Sequence, residues 1–148
     1  MNTQEQMQQI GQAAKQASRH LARLSSRKKN SILEGMAEAL EEQRAAIQEA
    51  NAKDLAAGKE AGLAAAMLDR LELNDARIDD MIKGLHDVTV LKDPVGDEIT
   101  AWNRPNGLHI RKMRAPIGVI GIIFESRPNV TCDAAALCFK TSNAVILR

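Results

Sequence analysis

An apolar run from Ile117 to Phe124 constrains the fold of this chain more than any other stretch. All eight residues of the run are apolar or glycine, which is typical of a strand buried on both faces in a parallel sheet. A shorter apolar run, Ala144–Leu147, follows after an alanine-rich stretch of helical composition. The sequence therefore predicts a strand–loop–helix–strand crossover and the α/β fold class.

The loop after the first predicted strand, Glu125–Asn129, is the candidate ligand-binding segment. It lies at the carboxyl end of a strand, where open α/β sheets bind their ligands. Pro128 followed by Asn129 indicates a helix start, because an asparagine side chain can cap the free N–H groups of the first turn. Capping is the simpler interpretation of Asn129. The functional alternative is an amide that donates to a developing oxyanion.

Three other residues near this loop also have two interpretations. Arg127 could bind a carboxylate or a phosphate of a substrate, or it could pair with Glu125. Arg148 directly follows a predicted buried strand, where a ribose or its phosphate could bind. Cys132 lies in the predicted first turn of the helix, where the dipole lowers a thiol pKa, but buried packing is the commoner fate of cysteine and is favoured here.

Two glycines of the first strand, Gly118 and Gly121, do not form a nucleotide-binding motif. Their G-x-x-G spacing is neither the G-x-G-x-x-G fingerprint nor a phosphate-binding P-loop. Glycine inside a strand more often permits the close approach of a neighbouring element. We therefore expect a packing role for both glycines, and any dinucleotide must be held in a different way.

The composition excludes several classes of function. A net charge of +1 and an aromatic content of 2% give no reason to expect a nucleic acid or a membrane as partner. The three histidines are isolated and the two cysteines are six positions apart on one predicted helix, so no metal site is expected. The amino terminus has no signal-peptide pattern, and no apolar span is long enough for a membrane helix. These features predict a cytoplasmic protein.

The sequence before residue 93 predicts helices. From Thr3 to Leu24, apolar residues recur at steps of three and four and form a stripe that could bind a partner or lie on its own domain. Arg27–Lys29 reads as a solvated turn. A single helix is predicted from Asn30 to about Ala50, and Asn51 is predicted to begin the next one.

A hairpin is predicted from Glu98 to Arg114, with its turn at Pro105–Gly107. Its second half contains only basic charges, which permits a nucleic-acid interface. Because aromatic residues are scarce, we prefer two other interpretations: an exposed edge hairpin whose charges prevent aggregation, or a hairpin that adds to a partner's sheet. Because two parallel strands buried on both faces need neighbours, the sheet is expected to be incomplete, either as a piece of a longer protein or as a part completed by assembly.

Two stretches around the crossover, Ala115–Thr131 and Leu137–Arg148, are more specific than any glycine pair, above all the loop Glu-Ser-Arg-Pro-Asn. They closely resemble the γ-glutamyl phosphate reductase family, also called glutamate-5-semialdehyde dehydrogenases, of the aldehyde dehydrogenase superfamily. Shorter similar stretches are Ala14–Ser18, Leu24–Ser26, Ala50–Asp54, Ala66–Leu71 and Asp93–Gly96.

The resemblance implies an aldehyde dehydrogenase-like architecture with three parts. Residues 1–97 would be the helical part of the cofactor-binding domain, and residues 98–114 the hairpin of a bridging, oligomerising sheet. Residues 115–148 would be the first βαβ unit of a Rossmann-like NADP-binding domain. A homo-oligomer is the expected assembly.

The resemblance also implies NADPH-dependent reduction of L-glutamyl 5-phosphate to L-glutamate 5-semialdehyde in proline biosynthesis. Asn129 would help form the oxyanion hole. The backbone of Ile123, Phe124 and Glu125 would flank the adenosine end of NADP(H). Arg148 would contact the ribose and its 2′-phosphate.

The family's nucleophilic cysteine is the missing part of this resemblance. It lies downstream of Arg148, and neither Cys132 nor Cys138 occupies its place. The chain is therefore expected to correspond to the N-terminal third of the enzyme and to have no reductase activity alone. The alternative hypothesis, from another class of function, is a non-catalytic helical interaction module that uses the stripe of the first helix and the basic hairpin.

Overall fold

The computed structural model describes residues 2–125 and 127–148 and has an α/β architecture. Helices come first along the chain, a hairpin follows, and a parallel crossover comes last, which confirms the predicted fold class. The elements are α1 (Thr3–Leu21), α2 (Ser26–Glu42), α3 (Arg44–Glu60), α4 (Ala65–Leu71), α5 (Asp75–Val90), β1 (Glu98–Asn103), β2 (His109–Met113), β3 (Val119–Ile122), α6 (Pro128–Lys140) and β4 (Ala144–Leu147).

Polar side chains cap the starts of three helices. The Asn2 side chain accepts from the N–H of Glu5 at the start of α1, and Ser25 accepts from the N–H of Lys28 at the start of α2. Asn74 does the same for α5. Each cap satisfies an N–H that has no partner within its helix, which defines where the helix begins.

The predicted single helix from Asn30 to Ala50 is wrong, because the helix is interrupted at Gln43, which lies between α2 and α3. Asn51 does not begin a helix but lies buried within α3. Its Nδ2 donates to the carbonyl of Leu71 at 2.8 Å, and its Oδ1 accepts from the N–H of Leu73 at 2.7 Å. Asn51 therefore holds the connection between α4 and α5 against α3.

The hydrophobic core lies where α2, α5 and α6 pack together. Its buried members come from all three helices, and removing such side chains from water is the main stabilising term of the fold. They are Leu33, Ala37, Leu85, Val88 and Ala136. The core thus fixes the position of α6, the helix that follows the candidate ligand loop.

A buried polar network ties the end of α6 to the helical part. The prediction of a solvated turn at Arg27–Lys29 is wrong for Lys29, whose side chain is 1% exposed and forms an ion pair with Asp93. The Lys29 ammonium also donates to the carbonyl of Lys140 at 3.1 Å and to Ser142 Oγ at 2.9 Å. The charge of Lys29 is tolerated in the interior because it is paired and hydrogen-bonded.

The described strands form two separate pairs. In the antiparallel pair, β1 faces solvent along its whole length and pairs with β2 as predicted. In the parallel pair, Val119 of β3 is opposite Ala144 of β4, and α1 packs against β4. The prediction of burial on both faces is only partly met, since Ile117 and Ile123 at the ends of the apolar run are 81% and 84% exposed.

Candidate functional site

The carboxyl-end edge of the parallel pair brings together the four residues predicted to bind the cofactor. The N–H of Phe124 donates to the carbonyl of Arg148 at 2.8 Å, and the N–H of Arg148 donates to the carbonyl of Ile122 at 3.0 Å. Ile123, Glu125 and Arg148 are exposed at this edge, and Phe124 is half-buried. An exposed apolar side chain and an exposed guanidinium therefore lie beside the same short backbone segment.

The two strand glycines do not have the predicted packing role. A Cβ built on Gly118 or Gly121 would meet no atom within 4 Å among the described residues. Gly118 has a φ of 115°, which side-chain-bearing residues rarely adopt. Its N–H donates to Asn143 Oδ1 at 2.8 Å, and its carbonyl accepts from the N–H of Ala144 at 2.9 Å. Glycine is required there by the backbone conformation just before β3, where the chain pairs with the start of β4.

Asn129 is not the helix cap that the sequence favours. The N-cap of α6 is Arg127, Pro128 follows as the first helical residue, and no side chain caps the helix. Asn129 is thus inside the first turn, and its Nδ2 donates to Asp133 Oδ2 at 3.3 Å. With its carboxamide not used as a cap, Asn129 lines a cavity of about 330 Å³ in front of the helix.

This cavity combines residues from two helices, α4 and α5, with the start of α6. Arg127 lines it, as does Asn129, so two of the predicted site residues share one space. Among the described residues Arg127 makes no ion pair with Glu125, and both side chains are exposed. The other lining residues are Arg70, Arg77, Asp80, Met81 and Asp133.

Sequence reasoning missed the contribution of α4 and α5 to this cavity. Arg70, Arg77 and Asp80 belong to no recognisable sequence motif. These residues lie about fifty positions before the loop, and only the packing of α5 on α6 brings them to it. A local pattern could not have identified them.

The two thiols have the properties of structural cysteines. Burial, with a smaller effect from the charge of Asp133, raises the pKa of Cys132 to about 11. Burial also raises the pKa of Cys138. Because the thiolate is the nucleophile, a raised pKa opposes covalent catalysis by either residue.

No protein-family model matches the chain. Curated relatives do match: the chain is 57% identical over 148 residues to the γ-glutamyl phosphate reductase of Moorella thermoacetica. It is 55% identical over the same length to that of Geotalea daltonii. The predicted resemblance to γ-glutamyl phosphate reductases is confirmed. Each alignment covers 100% of the chain and 35% of the relative, so the chain spans about a third of their length.

Solved γ-glutamyl phosphate reductases share the fold. The crystal structure of the Thermotoga maritima protein matches with a TM-score of 0.89 and 46% identity, over 91% of this chain and 33% of that one. The Saccharomyces cerevisiae protein matches with a TM-score of 0.90 and 41% identity, over 95% of this chain and 36% of that one. The part of the γ-glutamyl phosphate reductases that the chain matches is their N-terminal third.

Two absences within the described residues concern metal ions and membranes. No group of three or more histidine, cysteine, aspartate or glutamate side chains within those residues could hold a metal ion. In the same part of the chain, no helix combines the length and the hydropathy that crossing a bilayer requires. The candidate site consists of the strand edge with Arg148 and the cavity with Asn129.

Proposed function

We propose that the chain is the N-terminal part of an enzyme that reduces L-glutamyl 5-phosphate to L-glutamate 5-semialdehyde and phosphate in proline biosynthesis. The observation that carries this proposal is the similarity of all 148 residues to γ-glutamyl phosphate reductases at 55–57% identity. Proteins that are this similar over a whole structural unit share its fold, and the candidate site lies at the ligand-binding edge of that fold.

The strand edge suits the adenosine half of NADP(H). The exposed apolar surface of Ile123 can cover the face of an adenine ring, and the Arg148 guanidinium can bind the 2′-phosphate by charge-assisted hydrogen bonds. The backbone of Phe124 and Glu125 would border the ribose. When bound, NADPH supplies the hydride, and these residues supply position and charge.

Asn129 and Arg127 are proposed to act on the substrate. The Asn129 carboxamide N–H, at the start of α6, would donate to the oxygen that becomes negative as the acyl group is attacked. The positive end of the helix dipole lies beside it and favours that negative charge. Arg127, exposed at the mouth of the same cavity, would bind an anionic group of the substrate.

The catalytic nucleophile is proposed to lie outside this chain. Both thiols of the chain have raised pKa values, which opposes thiolate formation. We propose, on the basis of the resemblance, that the nucleophilic cysteine belongs to the remainder of the enzyme. We therefore expect that the 148-residue chain has no reductase activity by itself.

The three-part organisation is proposed on the same basis. Residues 1–97 and 115–148 would build the cofactor-binding domain. Residues 98–114 would be the hairpin that bridges subunits of a homo-oligomer, and the exposure of β1 along its whole length suits such a contact. We further propose that the substrate is a small molecule and that the protein is cytoplasmic.

Titration of NADP⁺ against the chain and its Arg148→Glu variant tests the cofactor site. We expect the variant to bind at least about tenfold more weakly, while Arg104→Glu in the hairpin binds like the unmodified chain. Equal affinity of all three proteins would contradict the role of Arg148. Absence of NADP⁺ binding by all three, together with a defined oligomer, would favour the alternative of a non-catalytic interaction module.

A further inference from the structure

The cavity beside Asn129 carries charges of both signs that the fold does not use. Among the described residues, Arg70, Asp80 and Arg127 take part in no ion pair within 4.0 Å. All three side chains line the same cavity of about 330 Å³. Two cations and a carboxylate that face one space without pairing are available to a ligand.

The other charged residues of the cavity already have partners. Arg77 donates to the carbonyls of Asp69 and Glu72, the latter at 2.9 Å, and to Asp69 Oδ1 at 3.1 Å. It therefore fixes the connection between α4 and α5 and positions Arg70 at the cavity wall. Asp133 accepts from Asn129 through Oδ2, which leaves Oδ1 as a further acceptor.

The mixture of charges selects the kind of ligand. A phosphate group alone carries only negative charge, so it would be attracted by the arginines but repelled by Asp80 and Asp133. An α-amino acid presents a carboxylate and an ammonium on one carbon, and it can satisfy both signs at once. Guanidinium groups bind carboxylates through paired N–H donors, and carboxylates accept from an ammonium.

We propose that this cavity binds the α-amino and α-carboxylate groups of an amino-acid substrate. Arg70 and Arg127 bind the carboxylate, and Asp80 accepts from the ammonium. The proposal rests on the proposed function, and it assigns the anionic group that Arg127 binds: the α-carboxylate. Asn129, the proposed donor to the oxyanion, lines the same cavity. Binding of the α-amino and α-carboxylate groups there would therefore hold the acyl carbon of the substrate near the Asn129 amide.

The size of the cavity agrees with this ligand. Ligand pockets begin at about 300 Å³, and a space near that lower limit suits a group the size of an amino acid rather than a dinucleotide. Arg148, at the proposed NADP(H) edge, does not line this cavity, so each site has its own charged residues.

Nuclear magnetic resonance titrations of the ¹⁵N-labelled chain with three probes test the proposal. L-Glutamate carries both charged groups, glutarate has the two carboxylates without the ammonium, and inorganic phosphate has neither. We expect L-glutamate at millimolar concentration to shift the amide signals of α5 and of the start of α6, and glutarate to bind about tenfold more weakly.

Two variants separate the roles of the charges. Arg70→Gln is expected to weaken binding of L-glutamate about tenfold, and Asp80→Asn is expected to remove the preference for L-glutamate over glutarate. Arg104→Gln in the hairpin and Asp54→Asn on the exposed side of α3 are the matched controls, and they should leave both affinities unchanged. Dispersed spectra show that each variant is folded.

Three results would overturn the proposal. They are unshifted signals with L-glutamate in a folded chain, equal affinity for L-glutamate and phosphate, and an unchanged glutarate ratio in Asp80→Asn. The outcome is separate from that of the NADP⁺ titration. Binding of L-glutamate but not of NADP⁺ would support the amino-acid site and contradict the reductase assignment. Binding of NADP⁺ but not of L-glutamate would support the reductase assignment and contradict the amino-acid site.

Discussion

The Lys29 ammonium donates to Ser142 Oγ across 2.9 Å, and so joins two residues that are 113 positions apart. Ser142 has a φ of 60° in the turn between α6 and β4, and its side chain is fully buried. The same ammonium is paired with Asp93, which follows α5. One side chain of α2 therefore fixes the ends of two other helices, and its loss is expected to affect all three.

Replacement of Lys29 by methionine is expected to lower the free energy of unfolding by about 3–5 kcal/mol. Methionine fills most of the volume, but Asp93 is left as a buried carboxylate, 7% exposed, without its cation. Urea unfolding followed by circular dichroism measures the change.

Lys53→Met is the control for this substitution. Lys53 pairs with Glu49 at 2.8 Å on the exposed face of α3, where both side chains are about three-quarters exposed. Exposed pairs of this kind contribute at most about 1 kcal/mol. Similar losses in the two variants would show that the Lys29 pair has no special importance.

Stability is expected to fall in acid because of Asp93. Burial by itself raises the pKa of Asp93, but hydrogen bonds from Lys29, Ser26 and the N–H of Val95 outweigh it and hold the pKa below its usual value. The folded state therefore binds this proton more weakly than the unfolded state. The contribution of Asp93 is complete above its unfolded pKa of about 4 and is lost as the pH falls through the lower, folded value.

Urea midpoints measured from pH 7 to pH 3 test this pH dependence. The Asp93→Asn variant should be less stable than the parent at pH 7 and should lose less stability on acidification. Parallel curves for the two proteins would assign the acid sensitivity to other carboxylates.

Gly118→Ala is expected to destabilise the fold by about 1–3 kcal/mol, whereas Gly121→Ala should be neutral or slightly stabilising. Neither added methyl group meets an atom within 4 Å, so a steric clash is not the cause. Of these two glycines only Gly118 has a positive φ, and alanine at that position is strained. Thermal unfolding of the two variants gives the comparison, and equal effects would contradict the conformational explanation.

Alkylation by iodoacetamide should be slow at both thiols. With its pKa raised to about 11, Cys132 at pH 8 should react at least about a hundredfold more slowly than an unperturbed cysteine. The rate should rise with pH up to that value, and urea should abolish the protection. Mass spectrometry of the Cys138→Ala variant isolates Cys132, and rapid labelling at pH 8 would restore it as a candidate nucleophile.

The sequence predicted what depends on neighbouring residues. The hairpin was predictable from two short strands on either side of the turn at Pro105–Gly107. The crossover was predictable from two apolar runs separated by a stretch of helical composition. The polar loop lies at the strand edge. A helix begins beside it as expected, but it begins at Pro128, because proline suits the first helical position, and not after a cap at Asn129.

What the sequence could not predict depends on residues that are far apart. Lys29 appeared solvated because its partner Asp93 is remote in the chain, and Asn51 appeared to start a helix because the backbone that it binds belongs to another segment. Asn129 was assigned as a cap on propensity alone, but Arg127 occupies the N-cap position. The charged cavity exists only because α5 packs on α6.

The two ends of α6 have separate tasks. The C-terminal end is fastened into the interior by Lys140, whose ammonium donates to Asn30 Oδ1 at 2.7 Å and to the carbonyl of Thr89 at 2.9 Å. The N-terminal end presents Asn129 to the cavity, about 16 Å from Lys140 along the helix axis. Because α6 is a rigid element held at its C-terminal end, the position of the Asn129 amide is determined by the contacts of that end in the core, where no ligand binds.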